Sequence, residues 1–145
     1  MSIAMTQAEK EDFLAGLHVG IISLVQTGRA PLTIPIWYAY EPGKEICFVT
    51  GSASRKGKLL ALGSQVSLCV QEEQMPYKYV SVEGVVTAIA PAEVERDIRP
   101  LARRYYGSDG GDRYIGRVYG SGSAAGDLLI RVRPQHWLAA DYSRL

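Results

Sequence analysis

A chain of 145 residues and 15.9 kDa, 47% hydrophobic and 21% charged, has the size and composition of one folded domain, which excludes disorder and a metal-stapled miniprotein. Sixteen Lys and Arg against fifteen Asp and Glu leave a net charge of +1. No overall basic field exists to gather nucleic acid or an anionic membrane, so an anionic ligand has to be held locally.

The longest apolar runs, such as Val19 to Val25, fall far short of the roughly 20 residues that cross a bilayer, and the polar N-terminus is unlike a signal peptide. A soluble, cytoplasmic protein is expected. Cys47 and Cys69 lie in separate apolar runs without the close spacing of a zinc site, and His18 and His136 are far apart in sequence. Neither a metal nor a disulfide framework is supported. Fifteen glycines and nine tyrosines, with many β-branched positions, favour strands and turns.

Thr6 followed by Glu9 forms a capping box, and Phe13, Leu14 and Leu17 supply the apolar stripe of a first helix. Strands are predicted from His18 to Val25, from Leu32 to Tyr40 and from Lys44 to Thr50, joined as successive hairpins by Gln26 to Arg29 and by Glu41-Pro42-Gly43. Ser54 caps a short helix over Arg55 to Leu62, stopped by Gly63. Val66 to Val70 and Tyr79 to Val85 are the next two strands. Ala92 to Tyr106 is helical, and Pro100 inside it predicts one bent helix or two short ones. Gly107 to Asp112 reads as a loop, Arg113 to Tyr119 as a helical turn or two, and Leu128 to Val132 as the last strand. The apolar tail from Gln135 to Tyr142 is expected to pack. Six strands in mostly hairpin order, with helices between them and no linker or repeat, predict one α+β domain over 1–145, an antiparallel barrel with small helical decorations.

The chemistry concentrates in Thr50-Gly51-Ser52-Ala53-Ser54-Arg55-Lys56-Gly57-Lys58. A strand ends in small residues and a helix begins with a hydroxyl and cations, which suits a phosphate, since helix N-terminal amides and a guanidinium fork both match its oxygens. A capped surface helix with solvated lysines is the other reading of the same residues.

This segment, together with Arg29-Ala30-Pro31-Leu32-Thr33-Ile34-Pro35-Ile36-Trp37-Tyr38 before it and Val80-Ser81-Val82-Glu83-Gly84 after it, resembles the pyridoxamine-phosphate-oxidase-like split-barrel family. Within that family it is similar to the flavin/deazaflavin-dependent oxidoreductase branch. The resemblance implies a six-stranded split barrel that forms a homodimer, with cofactor sites at the interface. It implies an oxidoreductase using coenzyme F-420, or alternatively FMN, for hydride transfer to a small conjugated acceptor. By the same resemblance, Ser54, Arg55, Lys56 and Lys58 hold the cofactor phosphate with Thr50 beside them, and Ile34, Pro35, Ile36 and Trp37 line the ring. Trp137 stands near the partner's ring or closes the barrel as a core residue. The chain lacks the family's C-terminal arginine-and-histidine substrate clamp and ends Trp137-Leu138-Ala139-Ala140-Asp141-Tyr142, so pyridoxamine phosphate oxidation is not expected. Arg103 and Arg104 are candidate cations for an F-420 tail, and Tyr77, Lys78 and Tyr79 are candidate proton donors. A non-catalytic flavin, F-420 or haem carrier is the second reading. A single-strand nucleic-acid barrel is the third, opposed by the near-zero charge.

Overall fold

The computed structural model describes residues 2–145. Helix α1 (Gln7–Ala15) begins at the Thr6/Glu9 capping box, which is formed in both directions. Strands β1 (Gly20–Leu24), β2 (Leu32–Ile36) and β3 (Ile46–Gly51) follow, then the one-turn helix α2 (Arg55–Leu59) and strand β4 (Gln65–Gln71). The long strand β5 (Lys78–Pro91) leads through a π-helical turn, Val94–Ile98, into α3 (Arg99–Val118). The long strand β6 (Asp127–Asp141) ends the chain with a 3-10 turn, Tyr142–Arg144.

All strand pairs are antiparallel, in the order β2-β1-β4-β5-β6-β3. The sheet curls because β5 and β6 are long and carry register shifts at Glu83/Gly84 and Val86/Ala88. Such bulges bend a strand and increase its twist. The first half of β5 therefore pairs with β4, while the first half of β6 pairs with β3. Alternation does the rest: Ile22 and Leu24 of β1, Ile36 of β2, Phe48 of β3, Leu68 of β4 and Val82 of β5 are buried together in one core, although β2 and β3 are opposite edges of the sheet. Each such side chain contributes roughly 1.5–3 kcal/mol through removal from water. The result is a six-stranded antiparallel split barrel, as expected.

Several boundaries differ from the sequence reading for physical reasons. The predicted second hairpin shrinks to a single bridge, Ala39 with Cys47, whose two backbone bonds are each 2.9 Å. Strand β2 stops at Ile36 because the Tyr105 hydroxyl accepts from the Tyr38 amide at 3.1 Å, a donor that otherwise belongs to a ladder. The same phenol donates to the His18 carbonyl at 2.6 Å. The stretch Gly107 to Asp112 is helical, not a loop: Gly107, at φ 80°, turns the chain sharply and a second helical segment continues from it. The tail predicted to pack does so as the second half of β6.

A second, smaller apolar cluster lies outside the barrel, where Val49 of β3 and Leu129 of β6 meet Ile98, Ala102 and Ile115 of the helical excursion. Arg99 and Arg103 both bind Asp112, at 2.8 and 2.9 Å, and so tie together the two arms of α3 across Gly107. Among the described residues, no helix is long and apolar enough to cross a membrane.

Candidate functional site

A cavity of about 500 Å³ opens between the end of β2, the start of α2 and the bent helix α3. That volume lies within the range of small-molecule sites. Pro35, Ile36 and Trp37 line one side, with Val49 of β3 beneath. Tyr106, Tyr114 and Tyr119 form the facing wall. The kink at Gly107 builds this wall by bringing Tyr106 and Tyr114 to 5.6 Å between ring centroids. Trp37 is held firmly: it stacks on Tyr105 at 5.1 Å with an 8° interplanar angle and meets the edge of Tyr106 at 5.4 Å. Aromatic pairs of this geometry add roughly 0.5–1.5 kcal/mol beyond their area.

Among the described residues, Lys56 is the single charged one lining this cavity. It is half-buried, has no hydrogen-bond or ion-pair partner among the described residues, and lies 5.9 Å from the centroid of the Phe48 ring. Burial lowers its pKa, because removal from water disfavours the ammonium. Burial also raises the pKa of Tyr114, and that of Tyr119 rises through burial and through its hydrogen bond to Asp127, where the hydroxyl donates at 2.6 Å.

The fold gives each residue of the predicted phosphate cluster its own contacts. Ser54 caps α2, its oxygen accepting from the Gly57 amide at 3.0 Å while its hydroxyl donates to the Gly51 carbonyl at 2.7 Å. Its proton being used there, the buried Thr50 hydroxyl donates to it at 3.2 Å. Helix α2 ends at Leu59, not Leu62, so one turn of aligned peptides stands behind any anion. Lys56 lines the cavity, and exposed Arg55, its neighbour at the start of α2, donates to Gln26 of the β1–β2 turn at 2.9 and 3.2 Å. Lys58 is exposed and does not line the cavity.

Of the predicted ring-lining residues, Pro35, Ile36 and Trp37 meet in the cavity, while Ile34 packs against the barrel core. Trp137 packs against that core too, 6.3 Å from Tyr40, in a separate cleft that shares no residue with the cavity. Arg104 is committed elsewhere. Its guanidinium donates to the Ala15 and Gly16 carbonyls at 3.1 and 2.6 Å and so completes the end of α1. Arg103 is held by Asp112. Tyr77 packs on Tyr142 and Lys78 approaches Asp141 at 4.0 Å, both away from the cavity. Sequence reasoning missed the tyrosine wall. The spacing of Tyr106, Tyr114 and Tyr119 gave no helical stripe, because their common side exists only after the bend at Gly107.

A curled six-stranded antiparallel sheet with an aromatic cavity beside one strand-to-helix turn is the architecture of a split-barrel protein. The chain matches the pyridoxamine 5'-phosphate oxidase family over residues 6–140 and belongs to that family. Among solved structures it is similar to the conserved hypothetical protein Rv2991 of Mycobacterium tuberculosis, at 22% identity and TM-score 0.74, covering 97% of this chain and 88% of that one. It is also similar to an F-420 reductase, at 21% identity and TM-score 0.68, covering 88% and 94%. A FAD-binding protein of Mesorhizobium loti follows at 17% identity and TM-score 0.62, covering 93% and 92%. No curated protein matches the chain.

Proposed function

We propose that this protein is a flavin- or deazaflavin-dependent oxidoreductase that uses coenzyme F-420, with FMN as the alternative, to move hydride to a small conjugated organic acceptor. One observation carries the reading: Lys56, half-buried and without a hydrogen-bond or ion-pair partner among the described residues, stands in an aromatic-lined cavity where it is the single charged residue among those described. A lone buried cation is costly unless an anion compensates it, and both cofactors bring a phosphate. The residues present fit such a group. Its family membership and its likeness to an F-420 reductase and a FAD-binding protein support the same class.

When bound, the cofactor supplies two-electron hydride chemistry, and the protein's task is to place and shield it. Lys56 and Arg55 bind the anionic end. Pro35, Ile36 and Trp37 orient the ring, with Trp37 fixed from behind by Tyr105. Tyr106 and Tyr114 exclude water from the acceptor's side. The Tyr114 hydroxyl, which lines the cavity and has no hydrogen-bond partner among the described residues, is the proton donor proposed for a reduced product.

A second copy of the chain completes the site in this proposal. On the outer face of the sheet, Pro35, Ile21, Cys69, Ser81 and Leu138 stand in register across five strands, giving a stripe with no charge. Ile21 and Leu138 are exposed there, and Pro35 belongs both to the stripe and to the cavity.

Titration of the purified protein with FMN and with F-420, followed by single-turnover mixing of the reduced complex with a conjugated enone, tests the proposal. Binding of one cofactor and its reoxidation by the enone are expected. Retention of neither at about 100 μM, roughly 5.5 kcal/mol of binding, overturns it. Tight binding without reoxidation favours a carrier.

A further inference from the structure

We infer that Gln26, in the β1–β2 turn, is a positioning residue for the cofactor phosphate, acting through Arg55. This rests on the proposed reading of Arg55 as a phosphate ligand.

Arg55 sits on a single turn of helix with its side chain in solvent, so its guanidinium has many rotamers open to it. Gln26 removes that freedom. Its Oε1 accepts from Arg55 Nη2 at 2.9 Å and from Nε at 3.2 Å, bridging one forked edge of the guanidinium. The other end of the amide is fixed as well, because Gln26 Nε2 donates to the Ala30 carbonyl at 2.8 Å. Reversing the amide sets donors against the guanidinium and an oxygen against a carbonyl, so this orientation is the stable one. The half-buried Gln26 is thereby tied to its own turn and holds Arg55 from outside α2.

What the contact leaves open matters as much as what it makes. A guanidinium has five N–H donors, and Gln26 takes two. The end edge, Nη1 with the outer hydrogen of Nη2, stays free, and that edge presents two parallel donors to two oxygens of a phosphate. The partner is also neutral. Elsewhere in the chain Arg96, Arg99, Arg103 and Arg144 are each held by carboxylates, which cancel their charge. At Arg55 an amide does the holding, so the full positive charge is kept for a ligand. Lys56 points into the cavity and Arg55 toward the turn. In this inference Lys56 meets the anionic end of a bound cofactor from the cavity and Arg55 meets it from the side of the turn, where Gln26 sets the position of the guanidinium.

The test compares FMN with riboflavin, which lacks the phosphate, or F-420 with its phosphate-free 8-hydroxy-5-deazariboflavin chromophore, using whichever pair the wild-type protein binds. Gln26→Ala is expected to weaken the phosphate-bearing member by about threefold to tenfold and to leave affinity for the phosphate-free member unchanged. Gln26→Glu, which pairs Arg55 with a carboxylate, weakens it further. In an Arg55→Ala background, Gln26→Ala changes nothing more, since the two act as one unit. If Gln26→Ala binds like wild type while Arg55→Ala has lost affinity, the positioning role is overturned. An equal loss for the phosphate-free member also overturns it, because that marks damage to the turn. If Arg55→Ala itself keeps wild-type affinity, the phosphate-site reading fails and the role of Gln26 fails with it.

Discussion

Lys56 illustrates a conflict between stability and binding at one residue. Its ammonium is half removed from water with no ion-pair partner among the described residues, so the charged form is disfavoured in the free chain. Lys56→Met keeps the length and the packing on Phe48 while removing the charge. The free protein is therefore expected to gain slightly in Tm by differential scanning fluorimetry, while affinity for the phosphate-bearing cofactor falls at least tenfold, about 1.4 kcal/mol. His18 presents a second titration at residue scale. Burial lowers its pKa below 6.5, and its Nε2 lies 2.9 Å from the Phe13 carbonyl. A base whose folded pKa is depressed binds fewer protons when folded, so stability is full above pH 6.5 and declines as pH falls below that value. The urea midpoint is expected to drop between pH 7.5 and pH 5.5, and His18→Gln is expected to flatten that part of the profile.

At the scale of elements, the turn from β3 into α2 depends on a close backbone approach. A Cβ on Gly57 would stand 2.1 Å from the Gly51 carbonyl oxygen, so Gly57→Ala pushes α2 off the end of β3. The expected result is a loss of about 1–3 kcal/mol in stability by denaturant titration, with cofactor affinity falling because both Lys56 and Arg55 move. Helix α3 depends on Gly107 in another way, since the positive φ there turns the helix back and sets Tyr106 beside Tyr114. The sequence showed why α1 starts at Thr6 and why α2 starts at Ser54, because caps are local chemistry between residues three apart. It did not show where β2 stops. That end is set by the Tyr105 hydroxyl, 67 positions away from the amide it holds. Nor did it reveal that Arg104, placed among candidate tail-binding cations, is consumed by the carbonyls at the end of α1.

On the scale of the whole molecule, the termini are locked together. Arg144 binds Glu9 and donates to the Ala4 carbonyl at 2.6 Å, and that hydrogen-bonded arginine holds the Glu9 carboxyl down to about 2. A depressed carboxylate contributes stability that is present above its ordinary pKa of 4.5 and lost as pH falls toward 2. Acid unfolding followed by circular dichroism is expected to begin at higher pH in Arg144→Met than in wild type. The uncharged stripe through Ile21 and Leu138 carries the assembly prediction. Sedimentation should give twice the 15.9 kDa chain mass for wild type, while Ile21→Glu should give the monomer with weakened cofactor binding. A wild-type monomer that binds cofactor fully would rule out a site shared between copies.

By itself the sequence determined the strand count, the antiparallel barrel and the capped turn after β3, because alternation, caps and turn residues act over a few positions, whereas the grouping of Pro35, Ile36, Trp37 and Lys56 was an expectation carried by the family resemblance. Only the tertiary structure decided what Ser54, Arg55 and Lys56 each meet. Adjacent residues on a helix point about 100° apart, and what each then meets, the cavity for Lys56 and Gln26 for Arg55, is supplied by distant strands. It likewise decided that three tyrosines from a bent helix wall the cavity, since a bend at one glycine unites side chains that no periodic pattern in the sequence connects.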